Sequence, residues 1–376
     1  MASLRRWLPG SKPAPVEPGA AGDPAESAPP AQQPGQQPAT ESIADSVAEA
    51  EEILARGRAA EAVDLLAAAT EADRSVATEV PLVNLRHRAA LVAAEGTGRE
   101  PWPPVYADPF PDVVGHPPEI DRAELTAETV GGAIAHHGCL LVHGLLDATQ
   151  VDRTRDVINR SHAGAAELAE SGRTGRWYSP LAGDHGDEVR MQRPWVAARG
   201  GTWLGDSPAG MVEVLGALRA SGVVDAIAGH FGERASISLQ KSTLRRTPPG
   251  YKLVSWHQDG DFLDADVRSV NVWVALDETG SGRRPGLEVL PRRVDVVLPA
   301  EGQIVPHSLD FGLVDELAVD TPTVLVDVQP GDALLFDERF VHRTHLTPEM
   351  TEDRLALECW FFAPSHHTSN YVPLLV

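Results

Sequence analysis

Apolar residues recur at helical spacing from Glu41 to about Ala94. Ile43, Val47, Ala50 and Leu54 come first, Gly57 interrupts, and Val63, Leu65, Leu66 and Ala69 follow; Leu82, Leu85, Ala89 and Val92 make a third set. This pattern predicts three helices. Further on, it predicts a helix around 122–137, the strand CLLVHGLL, a helix over 148–169, an irregular stretch at 171–206 and helix again over 208–230. From Ala235 to Phe362 the pattern becomes β. ISLQKSTLRRT, LVSWH, RSVNVWVAL, LEVL, VDVVLP, TVLVDVQ, ALLFD, RFVHRTH and RLALECWFF are short apolar runs mostly separated by Gly, Pro, Asp and Ser. Many short strands with few helices between them predict an α+β chain that is mainly β, a sandwich or jelly roll rather than a doubly wound sheet.

Two segments lack any period. Residues 1–40 are rich in Pro and Ala and predict a disordered tail. Residues 99–121 carry seven prolines among hydrophobic anchors and read as an extended linker. The expected organisation is therefore tail 1–40, helical module 41–98, linker 99–121 and main domain 122–376. AEEILARGRAAEAVDLLAAATEADR resembles one tetratricopeptide-type hairpin, with Gly at the turn. A stable array needs about three repeats. The expectation is a module that packs on the main domain or self-associates, with a protein partner as the alternative.

Charge narrows the function. Lys+Arg total 32 against 54 Asp+Glu, a formal net charge of −22, which argues against nucleic acid as ligand. No apolar run approaches the roughly 18 residues of a membrane helix, and MASLRRWLPG is followed by no signal-type apolar stretch, so a cytoplasmic, membrane-free protein is expected. Cys139 and Cys359, both in apolar runs, predict buried free thiols.

His is plentiful, at 14 residues, which makes metal ligation a candidate chemistry. His-x-Asp on a strand sends an imidazole and a carboxylate to one face. About one such pair arises by chance in a chain of this composition, and two occur. His185-Gly186-Asp187 lies in a polar loop and reads as a decoy. His257-Gln258-Asp259 closes the run LVSWH just before a strong strand. A third ligand could come from His342 or His345, each followed two residues later by a threonine, Thr344 or Thr347. Arg354 opens a strand, where an inward guanidinium suits a bidentate carboxylate. Two His and one carboxylate with open positions form the ligand set of non-haem Fe(II) oxygenases.

In order, WHQDG, NVWVALDE, PGLEVLP, GDALLFDERFVHRT and DRLAL resemble the phytanoyl-CoA dioxygenase-like superfamily of Fe(II)/2-oxoglutarate oxygenases, to which ectoine hydroxylases are related. The likeness spans about 130–364. It implies a double-stranded β-helix (jelly roll) with flanking helices, and Fe(II), 2-oxoglutarate and O2 as cofactor and co-substrates. It implies His257, Asp259 and His342 as iron ligands and catalytic centre, His342 being preferred because it lies twelve residues before Arg354. Arg354 and Thr344 would hold the distal carboxylate of 2-oxoglutarate, and Gln240 would face the pocket. The implied reaction hydroxylates a small molecule and releases succinate and CO2; an intact Asp259 argues against halogenation, which needs a small residue there. LPRRV, with Arg292 and Arg293, replaces the family's Pro-Gly-Ser-His turn and puts the substrate rim in doubt.

Other candidates are weaker. Strand parity groups Gln240, Ser242, Leu244 and Arg246 on one face and Lys241, Thr243 and Arg245 on the other. Asn271 and Trp273 are candidate cavity residues, Trp256 a core residue, Glu358 a neighbour of Arg354, and His366 and His367 surface residues. Arg190, Arg193, Trp195 and Trp203 could belong to a lid. Arg234, Lys241, Arg245, Arg246 and Lys252 predict a positive rim that draws an anionic substrate. The alternative functions are an idle oxygenase barrel serving as a scaffold and a cupin-like metalloenzyme without 2-oxoglutarate.

Overall fold

The protein is described here by a computed structural model covering residues 43–96, 98–183, 191–250, 255–280, 282–300 and 307–376. The tail 1–40, His185-Gly186-Asp187, Arg190 and Lys252 lie outside the described residues.

The helical periodicity at the start forms α1 (Ile43–Ala55), α2 (Ala59–Ala72) and α3 (Val76–Ala93). Gly57 makes the α1–α2 turn with φ at 78°, a value glycine adopts without the steric cost a Cβ would bring. The apolar stripe of these helices, with Ile53, Val63, Leu66, Leu82 and Leu85 at its centre, closes on Val212 and Leu375. Arg86 donates to the carbonyl of Leu375 at 2.6 Å, and His87 Nδ1 donates to that of Pro373 at 3.0 Å. This part of the apolar stripe is covered by the chain itself.

The proline-rich stretch lies along the surface with Trp102 and Phe110 packed on the main core, and ends in β1 (Glu119–Asp121). Then come α4 (Ala127–His137), capped by Thr126 and ended by Gly138, β2 (Cys139–His143) and α5 (Ala148–Ser171), whose cap is Asp147. The expected irregular stretch 171–206 in fact contains α6 (Arg193–Ala198) and β3 (Gly201–Trp203). The single helix expected over 208–230 is two, α7 (Pro208–Ala220) and α8 (Val223–Phe231), broken at Gly222 with φ at 83°.

Nine of the described strands form one large sheet. β1 lies parallel to β2, and β2, β9 (Ala333–Phe336), β6 (Ser269–Ala275) and β11 (Arg354–Phe362) follow antiparallel. The other edge of β11 pairs with both β4 (Ser236–Ser238) and β5 (Thr243–Thr247). β3 extends the sheet beyond β5, and β12 (Pro373–Leu375) beyond β4. A small antiparallel sheet holds β10 (His342–His345), β7 (Gly286–Val289) and β8 (Val324–Val326).

Alternation along the central strands sorts the layers. Val270, Val272 and Val274 of β6 and Leu357, Cys359 and Phe361 of β11 face the helices and share a core with α4, α5, α7 and α8. Trp273, Ala275, Ala356, Trp360 and Phe362 face the other way and pack with Leu287, Val289 and Val326 of the small sheet. Burying each large apolar side chain contributes about 1.5–3 kcal/mol, so both cores hold the central sheet firmly. The space between the sheets is where the cavity lies.

Three expectations are corrected. ISLQKSTLRRT is two strands, because a turn carried by the Ser242 N–H bonding to the Ser238 carbonyl (3.0 Å) interrupts it. VDVVLP is coil, and α9 (Phe311–Leu317) and β12 were not expected. His366 and His367 are half-buried rather than surface residues, and the His367 ring packs tilted against Phe362, centroids 4.7 Å apart. Both cysteines are buried free thiols, pushed up in pKa by burial. Among the described residues, no helix is long and apolar enough to cross a membrane.

Candidate metal centre

A cavity of about 520 Å³ opens between the two sheets, and His257, Asp259, His342, Thr344, Arg354 and Gln240 all line it. His257 joins β10 through one antiparallel bridge to His342, which sets the two rings side by side with centroids 4.3 Å apart. Asp259 starts a 3-10 turn, Asp259–Phe262, whose Gly260 N–H bonds to the Glu338 carbonyl at 2.8 Å. The ligand atoms of His257, Asp259 and His342 lie within 4.8 Å of one another. Among the described residues, no other group of three or more His, Cys, Asp or Glu does this.

The tautomers follow from the hydrogen bonds. His257 Nδ1 lies 3.0 Å from the Ser255 carbonyl and His342 Nδ1 3.0 Å from the Phe340 carbonyl. A carbonyl only accepts, so each Nδ1 carries the proton and each Nε2 presents its lone pair inward. Burial, helped by His257, pushes the His342 pKa down to about 4, which keeps that ring neutral at pH 7. Burial alone would push the Asp259 carboxyl up; Lys241 and both imidazoles outweigh it and hold the pKa below its ordinary value. Lys241 Nζ lies 3.0 Å from Asp259 Oδ1, and His342 Nε2 3.7 Å from Oδ2.

Gln258 points away from the centre and is buried. Its amide donates to the carbonyls of Val296 (3.1 Å) and Arg339 and accepts from the Leu298 N–H at 2.7 Å, tying the metal-side loop to its neighbour. Sequence reading passed over this residue, although it sits between the two that were chosen.

β10 parity separates the two candidate histidines. His342 and Thr344 face the cavity, whereas His345 Nδ1 meets Glu288 Oε2 at 3.1 Å on the other face, beside Arg343. Arg354 is 2% exposed and lies 5.2 Å from the Trp273 ring. It donates to the Gly286 carbonyl (2.9 Å) and the Thr247 hydroxyl (3.2 Å). Asn271, Trp273 and Glu358 also line the cavity, and Glu358 accepts from Arg245 at 2.7 Å. Trp256 packs in a separate core with Leu290 and Val341.

The turn inside ISLQKSTLRRT alters the expected faces. Lys241, Thr243, Arg245 and Thr247 line the cavity together with Gln240, while Leu244 joins the helix-side core. Gln240 is engaged at both ends, by the Val372 N–H (2.9 Å) and by Met191 Sδ (3.5 Å). Of the proposed positive rim, Arg234 pairs with Asp64 on α2 and Arg246 bonds to Asn159 on α5, so neither belongs to the cavity. Arg293 pairs with Asp337, and Arg292 donates to the Leu317 carbonyl. At the mouth, Trp195 is 51% exposed beneath Arg199, whereas Trp203 is buried and Arg193 pairs with the fully buried Asp206. Phe262, His307 and Tyr371 complete that wall and were not expected.

No protein-family model and no curated protein matches the chain. Solved structures do. The ectoine hydroxylase EctD from S. alaskensis with 2-oxoglutarate and 5-hydroxyectoine matches at 18% identity and TM-score 0.45, over 70% of this chain and 88% of that one. EvdO2 from Micromonospora carbonacea var. aurantiaca, complexed with 2-oxoglutarate, matches at 17% identity and TM-score 0.36, over 70% and 95%. AviO1 from Streptomyces viridochromogenes Tue57 matches at 18% identity and TM-score 0.36, over 62% and 93%.

Proposed function

We propose that this chain is an Fe(II)- and 2-oxoglutarate-dependent dioxygenase of the phytanoyl-CoA dioxygenase-like kind, on a double-stranded β-helix, and that it hydroxylates a C–H bond of a small-molecule metabolite. The observation that carries the proposal is the convergence of two inward Nε2 lone pairs and one carboxylate in a cavity that also holds a buried guanidinium. Such a donor set fits Fe(II): two inward Nε2 atoms and a carboxylate gather three acceptor atoms around one point, an arrangement that a cation stabilises.

In this reading His257, Asp259 and His342 hold the iron. Arg354 binds the distal carboxylate of 2-oxoglutarate, and Thr344 adds a hydroxyl. Gln240 marks the edge where co-substrate meets substrate. When bound, iron with 2-oxoglutarate and O2 would supply the oxidising power for hydroxylation, with succinate and CO2 as co-products. The chain's own part is placement. The carbonyls of Ser255 and Phe340 fix the ring orientations, and Trp273 and Phe336 wall off solvent. The aromatic mouth of Trp195, Phe262 and Tyr371 would receive the substrate.

Anaerobic isothermal titration of the Fe(II)-loaded protein with 2-oxoglutarate tests this. Saturable binding, and succinate formation that requires both components and disappears in His257→Ala, are expected. Absence of binding would return the chain to the scaffold reading, and turnover that survives His257→Ala would overturn the ligand assignment.

A further inference from the structure

Lys241 sits in the turn between β4 and β5 with its Nζ 4.0 Å from the centroid of Phe262 and 5.6 Å from that of Trp360. Two aromatic faces favour a cation held between them and limit its rotamers. From there it bonds to one carboxylate oxygen of Asp259, Oδ1, at 3.0 Å. The other oxygen, Oδ2, is the one near His342 Nε2, at 3.7 Å. The two oxygens thus have different partners.

We infer that Lys241 is a positioning residue that keeps Asp259 a one-oxygen ligand, reserving a metal position for the second donor atom of the 2-oxoacid. This rests on the reading of the triad as an iron site. A carboxylate can ligate through one oxygen or two. Three protein donors leave an octahedral ion three positions; a chelating Asp259 would close one of them. The charge-assisted bond to Lys241 holds Oδ1 back. The type of cation matters as well. An ammonium is a compact charge that engages a single oxygen, whereas a guanidinium fork spans both. In a chain with 29 Arg and three Lys, the residue at this position is of the kind that leaves Oδ2 open.

The test uses Co(II) and 2-oxoglutarate with the full chain, comparing wild type, Lys241→Met and Lys241→Arg by titration calorimetry, visible Co(II) absorption and thermal melting. Lys241→Met keeps the stem between the rings and removes the bond. It is expected to bind Co(II) close to wild type while its Co(II) form binds 2-oxoglutarate about tenfold or more weakly, the scale of losing a residue that orients a ligand. Its Co(II) spectrum before 2-oxoglutarate is added should already differ from wild type. Lys241→Arg should instead weaken Co(II) itself. Unchanged 2-oxoglutarate affinity in Lys241→Met overturns the inference, and so does parallel loss of Co(II), 2-oxoglutarate and melting temperature, which is what a merely structural lysine would give. If wild type binds Co(II) and His257→Ala does not, the metal reading stands whatever Lys241→Met does. If wild type binds no Co(II), both fall.

Discussion

His257 and His342 exchange both backbone hydrogen bonds, at 3.1 Å each way, although 84 residues separate them and His257 belongs to no strand. This single bridge sets the spacing of their rings, so the centre depends on the backbone of β10 as much as on the side chains. Strand alternation then decides which histidine faces inward. His342→Ala is expected to abolish Co(II) binding, whereas His345→Ala should leave it close to wild type, since His345 faces away from the cavity and bonds to Glu288. Calorimetry on the two variants checks this; equal losses would mean that the register of β10 is wrong.

Gln258 anchors the same bridge from behind. Its side chain is buried and its three hydrogen bonds are part-buried, so truncation would leave two carbonyls and the Leu298 N–H without this partner. Gln258→Ala is expected to destabilise the fold by about 2–4 kcal/mol, from the penalty per orphaned buried group. Because the loop also carries Asp259, Co(II) affinity should fall with it. Urea unfolding and Co(II) titration measure the two effects. A destabilised variant that bound Co(II) normally would show that the loop does not set the ligand position.

Arg354 offers a cleaner separation of metal from co-substrate. Its donors reach the Gly286 carbonyl and the Thr247 hydroxyl. Arg354→Lys keeps the charge and loses the planar fork, so 2-oxoglutarate affinity should drop by about tenfold or more, the scale of one to two charge-assisted hydrogen bonds. Co(II) affinity should stay at wild type. A joint loss of both would mean that Arg354 supports the barrel instead of the co-substrate.

How much of this the sequence carried depends on the element. β6, β9 and β11 were legible because nearly all their residues are buried and they read as largely apolar runs. His257 and Asp259 were legible as a pair because such a run leads into them. The break at Gln240–Ser242 was not, since Gln, Lys and Ser are ordinary on a strand and the turn is fixed by a partner, Val372, that lies over 130 residues away. That hidden turn is why Lys241, Thr243 and Arg245 were placed on the face opposite Gln240, although all four line the cavity. β12 was missed because YVPLLV is a short terminal run whose only cue is its pairing with β4. VDVVLP alternates like a strand, yet Gln258 holds Val296 and Leu298 and leaves the segment unpaired. In each case a distant partner overrode a plausible local pattern.

Acid sensitivity is the last consequence. Burial, with some help from Arg99, pushes the His230 pKa down to about 4, and the ring is packed against Trp102 and Phe231 and bonded to Tyr106. The unfolded chain titrates this group near 6.5, so between those values it binds more protons than the folded one. Stability from His230 is therefore complete above about pH 6.5 and lost as pH falls towards 4. Glu338 acts in the opposite sense: burial and Asp337 raise its pKa to about 7, so its contribution is present below about 4.5 and declines as pH rises to 7. Comparing wild type with His230→Gln cancels the Glu338 effect, since both proteins retain it. Between pH 7 and pH 4.5, wild type should lose about 1–3 kcal/mol more than the variant, the scale of a two-unit shift. Urea unfolding at the two pH values measures the difference. Parallel losses would show that His230 is protonated in the fold without penalty, and that its environment is less dry than its 5% exposure implies.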